Sequence, residues 1–304
     1  MTLSPEAQAL YRDCRAHVEE RVRALPDKPE ETAQATVAAL WLAAAGQPLS
    51  AEAAMESPLP ALGPEGAARL RELLRRRLEG TPLAHLTGRQ RFMGLEMLAG
   101  PAALIPRRET ELVGRAALER LHALCDGRSS ATVVDVCTGS GNLALALAAH
   151  EPRARVFGAD LSADAVELAR RNARLLGLEA RVEFRAGDLL APFESPAFDA
   201  AVDLVICNPP YISSGKLETM PAEIAGHEPR LAFDGGPLGI RVLERLIRDA
   251  QRVLRAGGWL AFEVGLGQGR GLRRRVEQRG GYADLGDVLD GSGEVRALLA
   301  RHAP

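Results

Sequence analysis

Asp135-Val136-Cys137-Thr138-Gly139-Ser140-Gly141-Asn142-Leu143-Ala144 is the stretch on which the fold reading turns. It closes the β-branched run Ala131 to Cys137 and opens the Ala/Leu-rich segment Leu143 to Ala149, giving a strand, a glycine turn and a helix in succession. Gly139, Gly141 and Ala144 fit a G-x-G-x-x-[GA] spacing. Glycine lets the backbone approach a ligand closely, and a helix amino end offers unpaired N–H groups to a carboxylate or phosphate. Working outward, Arg155 to Asp160 reads as a second strand, and Ser162 caps a helix running to about Leu176. Arg181 to Gly187 gives a third strand, Ala201 to Cys207 a fourth, and Trp259 to Val264 a fifth after a helix from Gly239 to Leu254. This alternation predicts an α/β fold with a parallel, doubly wound, Rossmann-like sheet and ligands at the carboxyl ends of its strands.

Asp160 lies nineteen residues past Gly141 at the end of the second strand, with Leu161 beside it. A carboxylate there can accept hydrogen bonds from two ribose hydroxyls. With Asp135, Cys137, Thr138, Gly139, Ser140 and Gly141 it makes a site for an adenosine-containing cofactor, and the pattern alone leaves NAD and S-adenosylmethionine both open. Gly187-Asp188-Leu189 closes the third strand where adenine is expected, with Asp188 near its exocyclic amine. A purely structural glycine turn, and ordinary turn chemistry at Gly187-Asp188, are the bland alternatives.

Val205-Ile206-Cys207-Asn208-Pro209-Pro210-Tyr211-Ile212 is the most informative segment for chemistry. A polar group follows a buried strand directly, and two prolines stiffen the turn. The Asn208 side-chain oxygen and the Pro209 carbonyl oxygen can accept the two N–H bonds of a planar NH₂ group, aiming its nitrogen and supporting the charge that develops on methylation. The Tyr211 ring can lie against the same planar group. A strand-ending turn with a satisfied Asn and a core Tyr is the competing reading, and its position in register with the glycine turn and Asp160 counts against it.

The rest of the chain bounds the answer. Among 304 residues, 38 Lys and Arg nearly balance 40 Asp and Glu, which disfavours a dedicated binder of bulk nucleic acid or anionic membrane. Cys14, Cys125, Cys137 and Cys207 lie far apart without a C-x-x-C pair, so they read as reduced thiols and not as a zinc or disulfide framework; no metal is expected. Met1 to Val18 is charged throughout, and no run suits a membrane span, so the expected compartment is the cytoplasm. From Pro5 to about Leu78 apolar residues recur at helical spacing, as in Leu70, Leu73, Leu74 and Leu78, and six prolines divide the region into four or five helices. Gly88 to Ile105 suits a β-hairpin or connector. The expected organisation is a small helical domain over 1–85, a hairpin or connector over 86–105 and the α/β domain over 106–304.

At this point the ordered motifs resemble the protein-(glutamine-N5) methyltransferases, which modify the glutamine of the Gly-Gly-Gln motif in bacterial peptide-chain release factors. The resemblance rests on Thr81 to Gly88 with Phe92, on Leu104 to Val113, on the glycine turn and on Asn208 to Ile212. It continues through Glu228-Pro229-Arg230-Leu231-Ala232-Phe233-Asp234-Gly235-Gly236 and Glu263-Val264-Gly265 with Gln268-Gly269. It implies a class I methyltransferase fold, S-adenosylmethionine as cofactor, and a release factor as protein substrate docked by the helical domain. It further implies that Thr138 to Gly141, Asp160 and Asn208 contact the cofactor while Asn208, Pro209, Pro210 and Tyr211 hold the glutamine amide. Arg107, Glu109 and Glu111 read as a solvated helix start, or, as the resemblance implies, as a lid edge over the cofactor with Glu109 and Arg107 in local ion pairs that shape the pocket.

Some positions depart from the family pattern. Arg108 stands where proline is usual, and Pro237-Leu238-Gly239-Ile240 replaces x-Asp-Gly-Leu. Val264 and the Asp-x-Cys-Thr-Gly-Ser-Gly form of the turn are typical of the branch that methylates a ribosomal protein. The alternatives are therefore a ribosomal-protein glutamine, a small-molecule amide or amine, and the exocyclic amine of a nucleic-acid base, the last lacking a target-recognition domain or basic groove. His85 and His227 read as structural or exposed, Trp41 and Trp259 as core, and the runs Arg75 to Arg77 and Arg273 to Arg275 as solvated helix faces.

Overall fold

In a computed structural model, which describes residues 3–23, 27–217 and 226–303, hydroxyl caps and prolines mark out the first helices. Ser4, Thr32 and Ser50 accept from the backbone N–H groups of Ala7, Ala35 and Ala53, starting α1 (Pro5–Arg21), α2 (Ala33–Ala44) and α3 (Ala51–Met55). Proline opens α4 (Pro64–Leu78), and α5 (Leu83–Thr87) stops at left-handed Gly88. The antiparallel hairpin β1 (Arg89–Phe92) and β2 (Leu95–Leu98) follows. By contacts the chain divides in two. The first unit is drawn from the described residues of Met1–Pro101, Ile105–Arg107 and Pro221–Glu228, the second from those of Ala102–Leu104, Arg108–Met220 and Pro229–Pro304.

The core of the first unit surrounds α2, whose Val37, Leu40, Trp41 and Leu42 are buried among Cys14, Val18, Leu70 and Leu74. The Trp41 indole N–H finds the Pro60 carbonyl at 2.8 Å, as a buried indole needs a partner. Arg77 corrects the expectation of a solvated arginine face: it is 3% exposed and pairs with buried Glu31 at 2.9 Å, whereas Arg75 lies exposed between Glu72 and Glu79.

The second unit opens with α6 (Thr110–Cys125). Strands β3 (Ala131–Val136), β4 (Ala154–Asp160), β5 (Val182–Ala186), β6 (Val202–Cys207) and β7 (Leu254–Glu263) pair in parallel. Helices α7 (Asn142–His150) and α8 (Ala163–Leu176, capped by Ser162), the short α9 (Ser214–Leu217) and then α10 (Arg241–Val253) lie between them. After β7 come α11 (Gly269–Arg279) and two strands that sequence periodicity did not anticipate, β8 (Tyr282–Leu289) and β9 (Val295–His302). They pair antiparallel, β9 with β7 and β8 with β9, so the seven-stranded sheet is mixed, in the order β5-β4-β3-β6-β7-β9-β8. Edge strand β8 buries no side chain fully and therefore shows no clean alternation. Strand β7 also begins earlier than expected, at Leu254, because a register shift opposite Val202/Leu204 accommodates Gly257 and Gly258 within the strand.

Val134, Val136, Phe157, Val205, Leu260 and Phe262 of the sheet pack with Leu243, Leu246 and Ile247 of α10 and Leu272 of α11. Trp259, expected in a core, is only half covered, with the Arg120 guanidinium stacked 5.0 Å from its ring centroid. Chain order reverses between β3 and β6, the switch point where doubly wound sheets open a crevice. Pairing aligns Val136 with Ala159 and Cys207, Asp160 with Ala186, and Cys207 with Phe262, so the residues that follow these strands share one edge. Among the described residues no helix is long and apolar enough to cross a membrane, and no group of His, Cys, Asp or Glu could hold a metal ion.

Candidate functional site

The glycine turn at the end of β3 is braced from beneath. Asp135 is fully buried, and its Oδ2 accepts from the Thr138 hydroxyl at 2.5 Å and the Ala144 N–H at 3.1 Å, tying both ends of the turn to the strand. Burial pushes the Asp135 carboxyl up to about 7 against those two hydrogen bonds. Its Oδ1 and the Ser140 hydroxyl, both buried, have no hydrogen-bond partner among the described residues. Orphaned polar atoms of this kind fit a ligand that brings its own donors and acceptors. Gly141 adopts φ +81°, and a Cβ there would stand 2.8 Å from the Phe184 ring, so the position has room only for glycine. Cys137, also at positive φ, is half-buried.

Asp160 ends β4 with both carboxylate oxygens engaged: Oδ2 accepts from Gly139 N–H at 2.8 Å and Oδ1 from Ser162 N–H at 2.9 Å. Each oxygen keeps further lone-pair capacity. Burial raises its pKa despite the backbone N–H groups that oppose the shift. Leu161 beside it is 58% exposed. The bond from Gly187 N–H to the Asp160 carbonyl at 2.8 Å draws the end of β5 against that of β4. Asp188 is half-exposed and paired with Arg245 at 2.8 Å. Leu189, at φ 49°, packs its side chain into the core with Leu190 and Phe193, so its backbone is the part turned to the strand end.

At the end of β6, Asn208 is partly exposed and Pro209 buried. The Asn208 Nδ2 donates to the Thr110 hydroxyl at 2.9 Å, which leaves Oδ1 as the available acceptor. The Tyr211 hydroxyl donates to Glu263 Oε1 at 3.0 Å. Glu263, at the end of β7 and 2% exposed, is driven up to about 7 by burial, with hydrogen bonding from Thr110 and Tyr211 and the charge of Arg296 pulling the other way. Arg296 of β9 is itself buried and forms an ion pair with Glu109. Glu109 is thus ion-paired, the part of its second reading that contacts can show. Arg107 belongs to the first unit, where it pairs with Glu228 at 2.5 Å and Asp27 at 3.2 Å.

The backbone of the turn is clamped by segments quoted above only as resemblance. Ile212 bridges Asp234, its N–H reaching the Phe233 carbonyl and its own carbonyl accepting from Gly235 N–H, each at 2.9 Å. Gln268 Nε2 donates to the Tyr211 carbonyl at 3.0 Å while its Oε1 accepts from Gly265 N–H at 2.9 Å. Thr110, Glu263, Gln268 and Gly239 were not singled out individually from sequence. The one available signal was Glu263 itself, an acid ending the buried run Leu260-Ala261-Phe262. Gly239 has φ +70°, and a Cβ on it would fall 2.2 Å from the Tyr211 carbonyl oxygen. Gly239→Ala is expected to lower unfolding free energy by roughly 2–4 kcal/mol in urea titration. A loss under roughly 0.5 kcal/mol would show that this loop yields freely.

Residues 128–264 match the methyltransferase domain family. The chain is 44% identical over 239 residues to the release factor glutamine methyltransferase of Moorella thermoacetica, covering 79% of this chain and 81% of that protein. With the release factor glutamine methyltransferase of Streptomyces coelicolor it shares 39% identity over 236 residues, 78% of this chain and 81% of the other. Among solved structures, the human methyltransferase 10 domain containing protein is similar in fold, with a TM-score of 0.50 at 18% identity over 68% of this chain and 88% of that one.

Proposed function

The chain belongs to the release factor glutamine methyltransferase family, and we propose on that premise that it methylates the side-chain amide nitrogen of the Gly-Gly-Gln glutamine in a peptide-chain release factor. The observation that carries this reading is the commitment of Asn208 Nδ2 to Thr110, which leaves Oδ1 as an acceptor at the sheet's switch point. S-adenosylmethionine, when bound, supplies a methyl group activated by its sulfonium. Asp160 would hold the ribose hydroxyls, and Asp135, Cys137 and Thr138 to Gly141 would line the cradle, with the orphaned Asp135 Oδ1 and Ser140 Oγ as ready partners. Leu161, Asp188 and the Leu189 backbone would border the adenine.

Asn208 Oδ1 and the Pro209 carbonyl oxygen take the two N–H bonds of the glutamine amide and turn its nitrogen toward the methyl. These oxygens also favour the positive charge that builds on nitrogen during transfer. Pro209 and Pro210 keep the acceptors from drifting, and Tyr211, held by Glu263 and Gln268, backs the planar group. No strong base is required, because the methylated nitrogen loses its proton readily. The helical first unit supplies docking surface for the release factor in this reading, and the cytoplasm is the compartment where such a substrate is met.

The experiment is direct. A purified release factor incubated with the enzyme and labelled S-adenosylmethionine should gain one methyl on the Gly-Gly-Gln glutamine, read by mass spectrometry of the tryptic peptide. Labelling confined to a ribosomal protein, or to a small amide, would replace this substrate with another.

A further inference from the structure

Leu238 and Leu266 are 72% and 65% exposed, the two highest values among the large apolar side chains of the described residues. Single exposed leucines are ordinary on a protein surface, so it is their placement that gives this pair meaning. Each stands next to a glycine packed against Tyr211. A Cβ on Gly239 would fall 2.2 Å from the Tyr211 carbonyl oxygen, and one on Gly265 would fall 3.0 Å from Tyr211 Cδ2. Of the residues flanking these glycines, Val264 is buried and Ile240 packs against the core, which leaves Leu238 and Leu266 as the ones turned to solvent.

One side chain ties both loops to the turn that carries Asn208. Gln268 Nε2 donates to the Tyr211 carbonyl at 3.0 Å and to that of Gly239 at 3.4 Å, while its Oε1 accepts from Gly265 N–H at 2.9 Å. Strand register pairs Cys207 with Phe262, so Asn208 and the chain leading to Leu266 leave the same edge of the sheet. Leu238 occupies the position where the family pattern has aspartate, so the apolar character there is a property of this chain.

We propose that Leu238 and Leu266 form an apolar rim beside the Asn208–Tyr211 turn, which docks apolar side chains of the substrate protein lying within a few residues of the methylated glutamine. The proposal deepens the release-factor reading and rests on it. A glutamine reaches Asn208 only by bringing its own chain up to the loops around the turn, and the Gly-Gly pair before it has no side chains with which to make contact. Recognition beyond the amide then falls to the residues on either side of that triplet. A leucine held in water contributes little to this fold, and covering it with a partner's apolar surface is favourable. A small free amide carries nothing to cover the rim, so these two loops favour a polypeptide substrate over a small molecule.

The test is steady-state methylation of a purified release factor, with kcat and KM separated, by the wild type, Leu238→Ser, Leu266→Ser, the double serine variant and a double variant carrying Leu238→Met and Leu266→Met. Each single serine substitution should raise KM for the release factor by about three- to tenfold, and the pair by on the order of 30-fold. Turnover at saturation and the Kd for S-adenosylmethionine, read by calorimetry as a check that the loops remain folded, should stay within about threefold of wild type. The methionine pair keeps apolar bulk and should hold KM within about threefold of wild type. A double serine variant with unchanged KM, or one that loses kcat instead, overturns the rim while leaving the methyltransferase reading intact. Unchanged KM together with loss of a dimer in sedimentation also overturns it, assigning the leucines to a contact between two copies of this chain. A wild-type enzyme that leaves the release factor unmethylated removes the substrate reading, and the rim with it.

Discussion

Asn208→Ala is expected to lower kcat on a release factor by on the order of 10²–10³-fold, the usual cost of removing one preorganised group that supports transition-state charge. The substitution deletes the Oδ1 acceptor and frees the Thr110 hydroxyl that Nδ2 now occupies. Because Asn208 is partly exposed and the turn is held by backbone contacts of Ile212 and Tyr211, the fold should survive. Cofactor affinity should change far less than turnover if, as proposed, the acceptor is used on the substrate amide. Single-turnover kinetics with saturating cofactor separates the two. A variant that turns over within about threefold of wild type would remove Asn208 from the chemistry.

The second large effect is on binding. Asp160→Ala should weaken S-adenosylmethionine binding by on the order of 10²–10³-fold, because the two charge-assisted hydrogen bonds to ribose proposed for it, at about 1.5–3 kcal/mol each, would be lost together. The same change releases Gly139 N–H and Ser162 N–H, so part of the loss comes from a loosened glycine turn. Asp160→Asn distinguishes the contributions, since it can retain one of the two backbone bonds while losing the charge. Titration calorimetry gives the affinity, and thermal denaturation of the cofactor-free variants gives the loosening. Unchanged affinity in Asp160→Ala would place the ribose elsewhere.

Residues on strands and tight turns were the legible part of the candidate site's framework. Gly139, Gly141, Asp160 and Asn208 each sit at the end of a buried β run, and strand alternation alone brings such ends to one edge. The direction of the Leu189 side chain was not legible, because a Gly-Asp-Leu turn does not say which way the leucine points, and here it packs into the core. Edge strand β8 was illegible for a related reason, since a strand that is half-exposed throughout carries no period-2 signal.

The amino-acid sequence by itself determined the alternation of strands and helices, the glycine turn, the acid one strand over and the proline-stiffened turn at Asn208, because each depends on residues near one another along the chain. Only the tertiary structure decided what those residues lean on. Thr110 meets Asn208 across 98 positions and Tyr211 meets Glu263 across 52, separations over which no local pattern operates. Which distant groups meet, and how far burial shifts a carboxyl such as Glu263, is set by packing and desolvation where the strand ends converge, and neither quantity exists until the sheet has closed.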